Sequence, residues 1–139
     1  MEVVGLAGFF PPFYGMWDTV GSPITREDEA ELFLDKLMTR AVNELTIDPR
    51  RIVLVTHDPP LGVCDLSVLT KSNAGSQGIR KAVLKWKPAA ACCGHIHEGR
   101  GIEKLGETLV VNPGSMYFRL AASLDIRQEN GVEADLIKI

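Results

Sequence analysis

Hydrophobic residues in this chain fall into two kinds of run, and the alternation between them predicts the elements. Unbroken small or apolar runs at 2–8, 51–57, 89–93 and 108–111 are too short for helices. The second of these, Arg51-Ile-Val-Leu-Val-Thr-His57, is β-branched with no alternation, as expected of a strand covered on both faces. Between the first two runs, Ala30, Phe33, Leu34, Leu37, Met38, Ala41, Val42 and Leu45 recur at three-and-four spacing. They predict one buried helical stripe, capped by Thr25 before an acidic first turn and stopped by Asp48-Pro49. Ile79, Ala82, Val83 and Trp86 predict a second helix, capped by Ser76 and ended by Pro88. From Phe118 the pattern alternates, with Phe118, Leu120, Ala122, Leu124 and Ile126 on one face, and Asn130-Gly131 is a hairpin signal before a last strand.

Strand, helix, strand in this order makes a right-handed crossover whose two strands lie parallel in one sheet. Their carboxyl ends then share one edge, the edge at which α/β folds place ligands. The chain has three histidines, and all of them stand at such ends: His57 closes the run at 51–57, and His95 and His97 follow Gly94 after the run at 89–93. In extended chain, positions i and i+2 point the same way about 7 Å apart. Each imidazole of His95-Ile96-His97 is therefore expected to face a metal. Neutral imidazole is a common ligand of zinc, iron and manganese, and three of them leave an open position for a hydrolytic water.

Composition narrows the setting. The chain has 139 residues with 45% hydrophobic, enough for one domain with a real core, and a single domain over 1–139 is expected. Fifteen Lys and Arg against eighteen Asp and Glu give a net charge of −3 with no basic cluster, which argues against nucleic acid as a charge-driven partner. No apolar run is long enough to cross a membrane, no signal-peptide pattern is found, and three cysteines make a sparse, odd set, so a cytoplasmic protein is expected. Cys92 and Cys93 beside the histidines lack a Cys-x-x-Cys partner and face opposite sides of a strand, which favours buried small hydrophobes over a structural zinc site. The aromatic stretch at 9–22, with Pro11-Pro12 and Trp17, reads as a surface loop anchored by its rings, or as a lid.

Three motifs carry a family resemblance. Thr56-His57-Asp58-Pro59-Pro60, Gly94-His95-Ile96-His97-Glu98 and Val111-Asn112-Pro113-Gly114-Ser115 resemble the carboxyl-terminal motifs of the calcineurin-like metallophosphoesterases. That resemblance implies half of a four-layer αββα sandwich of mixed sheets, and hydrolysis of phosphate mono- or diesters at two divalent metals. By the same resemblance, His57 and His95 are ligands of the second metal, His97 is a ligand of the first, and Asn112 and Ser115 form a turn nearby; none of them is assigned as catalytic. The family's amino-terminal Asp-x-His, Gly-Asp-x-x-Asp and Gly-Asn-His motifs do not occur in this sequence. The chain is accordingly expected to correspond to the carboxyl-terminal half, holding at most one transition metal (manganese, iron or zinc) and little activity alone. Four accounts stay open: a partner chain supplies the other half, the sequence is part of a longer enzyme, it is a non-catalytic module that acts as a homo-oligomer or interaction surface, or its histidines bind one metal unaided and retain weak hydrolysis.

Overall fold

The computed structural model describes residues 2–6, 27–127 and 131–139; the aromatic loop at 9–22, the Thr25 cap and the turn residue Asn130 lie outside them. In chain order the main elements are β1 (Glu2–Leu6), α1 (Glu27–Thr39), β2 (Ile52–Thr56), β3 (Leu66–Ser67), β4 (Ser72–Asn73), α2 (Gln77–Trp86), β5 (Ala90–Cys92), β6 (Gly101–Leu105), β7 (Thr108–Asn112), β8 (Leu120–Arg127) and β9 (Gly131–Lys138). The apolar runs become a five-stranded sheet in the order β1-β2-β5-β7-β6. Its first four strands are parallel, and β6 joins antiparallel to β7 at one edge. The predicted parallel pairing is found, with Val53 opposite Ala90 and Val55 opposite Cys92. Two further bonds carry the ladder past the strand ends, from Gly94 N–H to the His57 carbonyl and from Cys93 N–H to the Val111 carbonyl, each 2.9 Å.

Both helices cover the same face. Ala30 and Leu34 of α1 and Ile79, Ala82 and Val83 of α2 pack on Leu54, Ala91 and Val110 of the sheet in one buried cluster. Removing Leu34 or Ile79 from water contributes about 2 kcal/mol each. Ser76 caps α2 as its position predicts, its hydroxyl oxygen accepting the Ile79 N–H at 3.1 Å. The stripe on α1 is narrower than the periodicity implied, because Phe33 is 41% and Leu45 59% exposed. Helix α1 also ends earlier: after Thr39 the chain widens into a π-turn over Arg40–Glu44, which rotates Leu45 off the core face.

Cover on the sheet's other face is uneven. On that side of β2, Val53 is 4% exposed but Val55 is 39% exposed, so the expectation of a strand buried on both sides holds except at Val55. The β8–β9 hairpin lies over this face, with Leu120, Ala122 and Leu124 half-buried along one side of β8 and Ser123, Asp125 and Arg127 exposed on the other. Phe118, expected as the first residue of that alternation, falls instead in a 3-10 turn (Met116–Phe118) capped by Ser115, and is 62% exposed. Between β8 and the sheet is a cleft of about 360 Å³, lined by Val55, Cys92, Val111, Ala122 and Leu124, with His57 and Gly94 at its border. Cys93, one residue from Cys92, lies on the opposite, helix-covered side. No helix among the described residues is long and apolar enough to cross a membrane.

Candidate metal centre

Two loops leave the carboxyl edge and carry the candidate donors. The first begins at His57. Its backbone is fixed by the Thr56 hydroxyl, which donates to the Asp58 carbonyl at 2.8 Å, and by a two-way tie to the start of α2, Leu61 N–H to Ser76 O and Ser76 N–H to Pro59 O. The second begins at Gly94, held against the first by its bond to the His57 carbonyl. These ties bring together side chains 38 residues apart: His57 Nε2 and His95 Nδ1 lie 3.1 Å from each other. His95 Nε2 is 3.9 Å from Asp58 Oδ1, and one donor atom from each of His57, Asp58 and His95 lies within 4.8 Å of the others.

The donor set suits a divalent transition ion. Two nitrogens each about 2.1 Å from a common ion are about 3.0 Å apart at a right angle and about 3.4 Å apart at the tetrahedral angle, and the observed 3.1 Å lies between these. Burial lowers the pKa of both histidines, with the nearby His97 acting in the same direction, so each imidazole favours the neutral form that can donate a lone pair. Asp58 is 2% exposed and adds a carboxylate to the two nitrogens. Sequence reasoning did not place Asp58 among the ligands. Its signal was an acidic residue directly after a strand-ending histidine.

His97 stands apart from this group. The extended His-x-His geometry is not adopted: His95 has φ +58, Ile96 turns inward to 8% exposure, and His97 opens a 3-10 turn (His97–Gly99) with its side chain exposed. A left-handed residue other than glycine costs on the order of 1 kcal/mol, so the surroundings must hold His95 there. Three contacts pin the loop. Glu98 Oε1 accepts the Val68 N–H at 3.0 Å and the Ser67 hydroxyl at 3.3 Å, and Gly99 packs directly on the Cys64 carbonyl. Asn112, fully buried, donates through Nδ2 to the carbonyls of Ile96 (2.8 Å) and Cys64 (3.0 Å). The Asn112-Pro-Gly-Ser stretch is thus a structural turn, closed by the Gly114 N–H on Asn112 Oδ1 at 3.0 Å with Gly114 at φ +81.

The family described as metallophosphoesterase, calcineurin superfamily, matches residues 32–135, a span that includes all three histidines and Asn112. The chain belongs to this family. Among relatives of this metallophosphoesterase-family chain is the uncharacterized protein MJ1162 of Methanocaldococcus jannaschii, 43% identical over 74 residues, which are 50% of this chain and 34% of that protein. Another is the UPF0046 protein K07C11.7 of Caenorhabditis elegans, 37% identical over 60 residues, 43% of this chain and 20% of that one. One solved crystal structure superposes with a TM-score of 0.69 at 23% identity, covering 98% of this chain and 48% of the other. The crystal structure of TT1561 of Thermus thermophilus gives 0.57 at 19% identity, covering 96% and 52%. At those identities the likeness is one of fold, the metallophosphoesterase fold. This chain spans about half of each solved structure, in agreement with its resemblance to half of the αββα sandwich.

Proposed function

We propose that this chain supplies part of the metal site of a phosphoesterase that hydrolyses phosphate mono- or diesters. The observation that carries the reading is the convergence of His57, Asp58 and His95, with donor atoms within 4.8 Å, at a sheet edge inside the span that matches the family. In this reading His57 and His95, neutral at pH 7, hold one divalent transition ion with Asp58. His97, on the adjoining turn, faces a second position that this chain does not complete. When bound, such an ion supplies the Lewis acidity that phosphate ester hydrolysis needs. Two imidazoles and one carboxylate suit a single coordination sphere, so at most one ion, manganese, iron or zinc, is held tightly per isolated chain.

The remaining donors then come from elsewhere, either from a longer polypeptide or from a partner chain. The half-length match to the solved structures supports this, as does the apolar cleft beside the exposed Val55, where a second sheet or a second copy of the chain would pack. The test is metal titration followed by assay. One manganese or cobalt ion should bind per chain, and His57→Ala or His95→Ala should each lower its affinity at least ten-fold without loss of fold. The isolated chain should hydrolyse an aryl phosphate very slowly, and adding the complementary half should restore turnover that the same two variants abolish. Equal metal affinity in wild type and both variants would sink the assignment. A complemented, metal-loaded complex that stays inert would leave a binding module without catalysis.

A further inference from the structure

His95 occupies a backbone conformation that L residues adopt only rarely. It is the centre of a three-residue turn closed by the Ile96 N–H on the Gly94 carbonyl at 2.6 Å, with φ +58, the strained hand of the γ-turn. One side chain grips the backbone around this turn. Asn112 Nδ2 donates to Ile96 O at 2.8 Å, just after His95, and lies 3.5 Å from Gly94 O, just before it. The same nitrogen donates at 3.0 Å to the carbonyl of Cys64, which belongs to the loop that starts at His57. The orientation of the amide is not free: Oδ1 accepts the Gly114 N–H at 3.0 Å, so the NH2 group must face the three carbonyls. Asn112 is 0% exposed.

We infer that Asn112 is the positioning residue of the proposed metal centre, tying the His57 loop and the His95 turn together so that their ring nitrogens meet 3.1 Å apart. The inference rests on the metal reading above for its consequence, but not for its geometry. No other side chain of this size suits the position. Leucine brings no donor, and aspartate, of the same shape, would set a carboxylate oxygen against three carbonyl oxygens. Groups that orient metal ligands from behind typically alter metal affinity about 10–100-fold when lost.

The test uses two variants and two measurements. Asn112→Asp removes the donors; Thr108→Val is the control, deleting a buried hydroxyl that donates to Pro88 O at 2.7 Å at the other end of the same strand. In the metal-free chain, NMR should show a nuclear Overhauser effect between the His57 and His95 rings, retained in Thr108→Val and lost in Asn112→Asp. In cobalt titration followed by visible absorption, Asn112→Asp should bind at least ten-fold more weakly than wild type, and Thr108→Val within two-fold of it. Should Asn112→Asp not fold, Asn112→Ala carries the same expectations without the added charge. Persistence of the ring contact in the Asn112 variant, or equal losses in both variants, overturns the inference. A wild-type chain that binds no cobalt defeats the metal reading, and the ring contact still decides the role of Asn112.

Discussion

At the scale of single residues, two glycines of the His-x-His segment behave differently from their prominence in the sequence. Gly94 opens the motif, yet a Cβ built there meets nothing nearer than His57 O at 3.9 Å. Gly99, which no pattern singles out, has no room at all: a Cβ would press on the carbonyl of Cys64, with Asp65 N at 3.0 Å. Gly99→Ala is therefore expected to cost about 2 kcal/mol by forcing the His57 and His95 loops apart, and Gly94→Ala less than about 0.5 kcal/mol. Urea midpoints of the two variants measure the difference, and similar midpoints would contradict the packing described. Asp58, Gly99 and Asn112 were hidden or half-read for one reason. What each does depends on a residue of another loop, and one sequence does not show which loops touch.

Elements were legible where a local pattern determined them. The Ile79–Trp86 periodicity, the Ser76 cap and the apolar run before His57 each translate directly, because a 3.6-residue or unbroken pattern needs only its own neighbours to be decoded. The π-turn after α1, the exposed Val55 and the 3-10 turn at Phe118 were not legible, since each is set by what does or does not pack against it. The junction between the helices depends on Asp35, whose carboxylate accepts from Lys85 Nζ and, at 2.7 Å, from Trp86 Nε1. The bond from Lys85 and then that from Trp86 hold its pKa below the usual carboxylate value. The folded state thus releases this proton more readily than the unfolded chain. The stabilisation is complete above the ordinary aspartate pKa and is lost as pH falls through the lower folded value. Asp35→Asn should cost on the order of 1 kcal/mol at pH 7, a partly exposed pair counting for less than a buried one, with a smaller deficit at pH 3. Thermal unfolding of both proteins at the two pH values checks this; a deficit that does not shrink in acid would exclude the carboxylate as its source.

Over the whole molecule, the candidate centre exists only because distant strands pair in parallel. The His57 loop and the His95 turn follow β2 and β5, and Asn112 ends β7, three neighbours in the sheet whose ladder must be complete before the ring nitrogens meet. Such pairing has high contact order and forms slowly, and a site formed last contributes little to the folding barrier. An ion that needs all three loops finds no binding place in the unfolded chain, so its affinity appears as stability of the folded state. In stopped-flow experiments, saturating cobalt should leave the refolding rate nearly unchanged and slow unfolding by about the factor that binding adds to the equilibrium constant. Faster refolding with cobalt would mean that the donors assemble early. If they assemble last, the ion acts as a latch on a finished structure: a chain that has lost it unfolds sooner, yet returns to the native state as quickly as before.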